Sequence, residues 1–358
     1  MNGPAGKKLI RVLVVDDSIV ARELLVYVLN ADPSLQVVGV AFDGEQAVAA
    51  AMRLKPDVIT MDIHLPNMDG FAATRQIMET CPTRIVMVTA SSIPHEIAES
   101  FRALESGALT VLGKPLGIGH PHHQAAAEEL VQTVKLMAEV QVVKRWARQP
   151  AAPGAAPVIG QHEPAGGPAI RMVAIGASTG GPLVLQTILS HLQPDFAAPI
   201  LIVQHISVGF ITGFTEWLER STGFPVRVPA HDEQVKPGVA YVAPDGLHMT
   251  VLGNGAIALI DAPSEYGLRP SVSYLFRSVA AAFGPQSIGV LLTGMGRDGA
   301  QELKIMQQAG ALTIAQDKES SVIFGMPGEA MKLNAASTML PPEGIAAALN
   351  RRVYKHRV

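Results

Sequence analysis

Two sets of residues in this chain have the types and spacing to do chemistry, and they lie in different halves. The first is acidic: Asp16-Asp17, then Asp62 within Met61-Asp-Ile-His-Leu-Pro-Asn-Met-Asp-Gly70, then Thr89 and Lys114-Pro115. Three carboxylates brought together repel one another unless a cation sits among them, and an oxygen-rich set suits Mg²⁺, which keeps several waters and needs few protein ligands. One carboxylate can then accept a phosphoryl group while metal and lysine neutralise its oxygens. The second set is nucleophilic: Gly176-Ala-Ser-Thr-Gly-Gly181, Gln204-His205 and Thr293-Gly-Met-Gly-Arg-Asp-Gly299. A serine needs a base for its proton, and that base needs a carboxylate to fix its tautomer and stabilise its charged form. Together the two sets suggest an enzyme with a built-in switch.

Taken singly, each residue has a plainer reading. An aspartate at a strand-to-helix junction is commonly an N-cap, which covers Asp16 and also Asp298 before the helix expected near Gly299. A lone histidine such as His205 is more often structural than catalytic. The loop at Gly176 precedes a helix with Pro182 in its first turn, so its amides can stabilise negative charge. It lacks the spacing of a dinucleotide or Walker fingerprint, and reads instead as a loop presenting Ser178, with the amide of Thr179 directed at an oxyanion. The order Ser, His, Asp matches none of the three familiar hydrolase orders.

The elements that must position these groups are short continuous apolar runs alternating with helical stretches. Such runs mark strands buried on both faces of a parallel sheet. In the first half they include Ile10–Val15, Val58–Met61, Ile85–Val88 and 110–112, and Asp16, Asp17, Asp62, Thr89 and Lys114 each follow one. In the second half, Arg171–Gly176, Pro199–Val203 and Ser287–Leu292 precede Ser178, His205 and Asp298. Functional groups collect at the carboxyl ends of parallel strands, so each set should meet at one rim. Gly238–Val242 and Met249–Leu259, with the Gly253-Asn-Gly255 turn, read as an inserted β-hairpin. A helix is expected from about Ala125 to Trp146, followed by a connector rich in proline, glycine and alanine from Gln149 to Pro168. The expected architecture is α/β: a doubly wound (βα)5 domain over 9–125, a helix and linker over 126–168, and a second doubly wound parallel-sheet domain over 169–355.

With 358 residues, 48% hydrophobic and 16% charged, the chain has material for two cores. A net charge of −3 offers no basic excess for a phosphate backbone, so nucleic acid is not an expected partner. The single cysteine, Cys81, fits a reducing compartment, and neither a signal core nor a membrane-length apolar run is seen; a soluble, cytoplasmic protein is expected. His120, His122 and His123, set among glycines and prolines, read as a solvated loop rather than a metal site.

The acidic set in its order resembles the receiver domains of bacterial two-component signalling over roughly residues 9–125. That resemblance implies that Asp62 is phosphorylated, that Asp17, Asp62 and the backbone carbonyl of His64 hold Mg²⁺ with support from Asp16, and that Thr89 and Lys114 contact the phosphoryl group and drive the switch. Val111 stands where many receivers carry an aromatic switch residue. The second set, with Arg269-Pro-Ser-Val272, Leu275-Phe276, Thr313-Ile-Ala-Gln316 and Phe324-Gly-Met-Pro327, resembles the catalytic domain of the CheB methylesterases over about 169–350.

The CheB resemblance implies Ser178 as nucleophile, His205 as base and Asp298 as its orienting partner, with Thr179 and Met295 near the oxyanion site and no cofactor for the esterase reaction. It further implies hydrolysis of glutamate γ-methyl esters on the cytoplasmic helices of methyl-accepting chemoreceptors, deamidation of receptor glutamines, and a cognate chemotaxis histidine kinase as phosphodonor. Many members read His-Met-Pro where this chain has His205-Ile-Ser207, and Asp where it has Ser273. Rival readings are a response regulator that acts only by binding, with weak or silent catalysis in a non-motility array; a transcriptional regulator, for which no helix-turn-helix is visible; and a nucleotide-dependent enzyme using the Gly176 loop.

Overall fold

A computed structural model describes residues 9–90, 94–121, 123–140 and 168–354. The first half runs β1 (Ile10–Val15), α1 (Ile19–Asn30), β2 (Leu35–Ala41), α2 (Gly44–Leu54), β3 (Val58–Met61), α3 (Gly70–Thr80), β4 (Arg84–Thr89), α4 (Pro94–Glu105), β5 (Thr110–Gly113) and α5 (His123–Glu139). Among the described residues these strands form one five-stranded parallel sheet in the order β2-β1-β3-β4-β5. Residues 12–15 of β1 and all of β3 are buried, as the apolar runs require. Helix starts use local oxygen acceptors: Ser18 caps α1, Asp43 caps α2 and Asp69 caps α3.

The second half runs β6 (Met172–Ala177), α6 (Gly181–Ser190), β7 (Ile200–Gln204), α7 (Ile211–Thr222), β8 (Val226–Arg227), β9 (Ala240–Val242), β10 (His248–Val251), β11 (Ile257–Ile260), α8 (Val272–Phe283), β12 (Ser287–Leu291), α9 (Ala300–Gln308), β13 (Leu312–Gln316), α10 (Met326–Lys332), β14 (Thr338–Leu340) and α11 (Pro342–Tyr354). A seven-stranded parallel sheet has the order β14-β13-β12-β6-β7-β9-β8, while β10 and β11 pair antiparallel as a separate hairpin.

Two expectations need correction. Gly238–Val242 does not belong to the inserted hairpin: Ala240–Val242 is β9, paired in parallel with β7 and β8 in the main sheet. It follows a loop rather than a helix, so the usual strand-helix rhythm gives no warning of it. The helix predicted over 125–146 begins at His123 and ends at Glu139. Residues 141–146 lie outside the described residues, as do His122 and all of the linker up to 167.

The two halves pack together through helices. Phe101 of α4 stacks on Trp217 of α7, with centroids 5.3 Å apart and planes at 29°, and lies 5.4 Å from Phe214. All three side chains are buried, and such aromatic pairs add about 0.5–1.5 kcal/mol beyond their buried area. Polar contacts border this seam: Gln186 donates to Glu105 at 3.1 Å, and Arg220 lies 3.3 Å from Glu99. No helix among the described residues is long and apolar enough to cross a membrane.

Candidate active site and acidic pocket

In each sheet one strand is flanked by neighbours reached in opposite directions along the chain, which opens a crevice at the carboxyl ends. In the first sheet that switch lies between β1 and β3; in the second it lies between β6 and β12. Asp16 and Asp17 follow β1 and Asp62 follows β3, while Ser178 follows β6, His205 follows β7 and Asp298 lies beyond β12. Both sequence-derived sets therefore stand at switch points.

At the first crevice the carboxylate oxygens of Asp16, Asp17 and Asp62 lie within 4.8 Å of one another. None of the three caps a helix, since Ser18, Asp43 and Asp69 do that work. Instead Asp16 Oδ1 accepts from the Ser18 amide and Asp62 Oδ1 from the Ile63 amide. Lys114 Nζ is 2.7 Å from both Asp16 Oδ2 and Asp62 Oδ2, and donates its hydrogen bond to Asp62. Asp16 Oδ2 is buried and faces the Lys114 ammonium. Burial pushes the Asp16 carboxyl above its ordinary range, against the pull of Lys114, with Asp62 adding to the rise.

Three carboxylates sharing one lysine carry more negative charge than it can neutralise, and such a set fits a divalent cation. Gly70 keeps the loop tight: a Cβ there would stand 2.1 Å from the Asp62 carbonyl oxygen. Thr89 is buried at the end of β4, opposite Gly113 of β5, and its carbonyl accepts from the Lys114 amide. His64 is exposed two residues past Asp62. Val111 is buried.

At the second crevice His205 Nε2 donates to Asp298 Oδ2 at 2.9 Å, and Nδ1, the acceptor nitrogen of that tautomer, has no hydrogen bond among the described residues. Asp298 does not cap α9, whose N-cap is Gly299 without a side-chain bond. It sits at the N-terminus of α8. Oδ2 accepts from the Val272 amide at 2.7 Å; Oδ1 accepts from the Ser273 amide at 3.0 Å, from the Ser271 hydroxyl at 2.8 Å and from the Ser273 hydroxyl at 2.6 Å, whose single hydrogen also faces Glu302 Oε2 at 2.8 Å. Although burial alone would raise it, the His205 contact and these serines bring the Asp298 carboxyl down to about 2. A helix N-terminus adds to the same effect.

Ser178 is half-buried, and its hydroxyl makes no hydrogen bond among the described residues. Its loop is tied down on both sides: the Ser178 amide donates to Thr293 O, and Gln204 Nε2 donates to both Ser178 O and His205 O. A Cβ on Gly294 would lie 2.5 Å from Ser178 Cβ, so only glycine lets the loop after β12 approach the serine. The amides of Thr179 and Met295 have no acceptor among the described residues. Ser178, Thr179, His205, Met295 and Asp298 line one cavity of about 900 Å³. Its other wall comes from the first half of the chain, through Phe101, Val111, Leu112, Glu129 and Leu136. Ser207 Oγ donates to Glu129 Oε1 across this boundary at 2.8 Å, and the crowding of protein around Glu129 raises its carboxyl, with Ser207 opposing.

Sequence reading did not find the donors on Asp298 or the Glu129–Ser207 contact. Ser271 was visible only as part of a family segment, and Glu129 carried no signal.

Comparison with known proteins extends over nearly the whole chain. A family profile described as CheB methylesterase matches residues 173–349, and one described as response regulator receiver domain matches 12–126. A protein-glutamate methylesterase/protein-glutamine glutaminase of Geobacter metallireducens is 55% identical over 348 residues, covering 95% of this chain and 98% of that protein. One from Syntrophus aciditrophicus is 54% identical over 344 residues, covering 95% and 97%. The chain belongs to the CheB methylesterase family. The crystal structure of the CheB methylesterase catalytic domain of Thermotoga maritima matches with a TM-score of 0.50 and 34% identity, covering 51% of this chain and 98% of that one.

Two of this chain's departures from the CheB pattern fall in the contacts just described. Ser207 makes the bond to Glu129, and Ser273 supplies both a hydroxyl and an amide to Asp298.

Proposed function

We propose that this protein is a phosphorylation-regulated protein-glutamate methylesterase that removes methyl groups from glutamate γ-methyl esters of chemoreceptors and deamidates receptor glutamines. The bond from His205 to a fully donated Asp298, in a cleft shared with an unengaged Ser178, carries this reading. Ser178 Oγ attacks the ester carbonyl while His205 Nδ1 takes its proton. The tetrahedral oxyanion is met by the amides of Thr179 and Met295. His205 returns the proton to the departing methoxide, methanol leaves, and water attacks the acyl-enzyme to give the glutamate carboxylate and free serine. Asp298 stays ionised throughout, holding the tautomer and offsetting the imidazolium charge. A regulator acting only by binding has no need of five donors fixing one carboxylate.

Asp62 is the proposed phosphoacceptor, and Asp16, Asp17, Asp62 and the His64 carbonyl would hold Mg²⁺. Bound there, the ion would neutralise phosphoryl oxygens. Lys114 pairs with the phosphoryl group, and Thr89, at the head of the connection into α4, carries the change outward. The α4 seam with α7 and the Glu129–Ser207 bond lie on the same boundary that closes the cleft, so a shift of α4 alters access to Ser178. The proposed setting is the cytoplasm, with receptor helices as substrate and a chemotaxis histidine kinase as phosphodonor.

The test is methanol release from methylated receptor membranes by wild type and Ser178→Ala. Release that depends on the serine is the expected result; equal release by both proteins contradicts the assignment.

A further inference from the structure

The hydrolytic residues account for one side of the cleft, and leave unexplained a turn at its mouth. Glu265 and Leu268 exchange backbone hydrogen bonds at 3.1 and 2.9 Å, and between them Tyr266 and Gly267 both have positive φ, 54° and 77°. Two consecutive left-handed residues make a type I′ turn, whose first position favours asparagine, aspartate or glycine. A bulky aromatic residue there is an outlier, and such outliers persist where the surroundings over-determine them and function uses them. The flanks are fixed: Glu265 is ion-paired with Arg277, and Arg269 pairs with Asp261 at 2.6 Å.

What the turn delivers is the Tyr266 ring, with the Arg297 guanidinium 5.0 Å from its centroid. Both side chains are exposed and both line the cleft. Arg297 immediately precedes Asp298, so its backbone is about 3.8 Å from that residue's. Among the described residues lining the cleft it is the only lysine or arginine, and it makes no ion pair with a described residue. The acidic groups around the cleft are otherwise engaged: Asp298 with His205, Glu129 with Ser207, and Glu329 with Lys332. A stacked guanidinium keeps its planar edge free for a carboxylate while the ring limits its rotamers.

We propose that Arg297, oriented by Tyr266, is a specificity residue that binds a carboxylate one helical turn from the esterified glutamate of the substrate helix. This rests on the methylesterase reading above. On a helix, side chains three and four residues apart share a face, so an ester held at Ser178 brings its neighbour to the rim. Arginine meets a carboxylate there through two parallel hydrogen bonds, which a neutral glutamine cannot match. The enzyme therefore works fastest on an ester that already has an ionised neighbour.

The experiment uses the full-length enzyme and methylated receptor membranes in two forms, with glutamate or with alanine four residues from the esterified site. Wild type is expected to favour the glutamate form by about tenfold in kcat/KM, expressed through KM. Arg297→Gln should bring that ratio near one, Arg297→Lys should retain part of it, and Tyr266→Leu should reduce it. A ratio near one in wild type, or an unchanged ratio in Arg297→Gln, overturns the proposal. No methanol from either form with wild type is a different failure, that of the methylesterase reading itself.

Discussion

Asp16 and Asp298 are both buried carboxylates beside a switch point of a parallel sheet, and their protonation is displaced in opposite directions. Around Asp16 there are three carboxylates that share one lysine. Around Asp298 there are five donors for two oxygens. Burial costs both of them; what differs is the supply of donors and positive charge. A site short of positive charge is unfinished and responds to what arrives, whether cation or phosphoryl group. One with its charge already satisfied needs no rearrangement during reaction, which is how a fixed electrostatic partner lowers a barrier. The regulatory and chemical halves of this molecule use one topology with opposite electrostatic balance.

The largest expected effect lies at Asp298. Asp298→Asn keeps the side-chain shape but removes the charge, and methanol release should fall by about 10³-fold or more. A loss below tenfold would show that the donor cradle holds structure rather than charge. Neutralising the other site should act with the reverse sign on stability. Asp16→Asn is expected to stabilise the metal-free protein by about 1 kcal/mol in thermal unfolding, because an ionised group that the fold disfavours is gone. Added Mg²⁺ should raise the Tm of wild type more than that of Asp16→Asn; equal shifts would remove Asp16 from the cation site.

A smaller effect appears in the pH dependence of unfolding without metal. The folded-state carboxyl of Asp16 is raised, so its cost to stability is present at neutral pH and fades as pH falls through the raised value toward 3.8. For Asp298 the carboxyl is lowered, so its contribution is present above 3.8 and lost as pH falls toward about 2. Comparing wild type with Asp16→Asn and Asp298→Asn across acid pH should therefore give difference curves of opposite slope.

Strands buried on both faces were legible as unbroken apolar runs, which is why β1, β3, β6, β7 and β12 fall where the sequence reading puts them. The Gly253-Asn-Gly255 turn was legible for the same local reason, since its chemistry lies in three adjacent residues. The edge strands of the second sheet were not: β8 has two residues and β14 three, too short to form a run. The placement of Asp62, Ser178 and His205 at strand ends could be read because each directly follows an apolar run. Asp298 lies farther past its strand, and four of its five donors come from residues 25 to 27 positions earlier, brought together only when α8 packs against the loop. Glu129 and Ser207, 78 positions apart, meet through packing between the two halves, and no local pattern encodes that.

Charge arriving at Asp62 is expected to open the cleft at Ser178. The direct measurement is methanol release by the full chain, with and without a small-molecule phosphodonor and Mg²⁺, for wild type and Asp62→Asn. A rise in wild type that is absent in Asp62→Asn is the result predicted here. Unchanged release in wild type, with Asp62 phosphorylated, would contradict it.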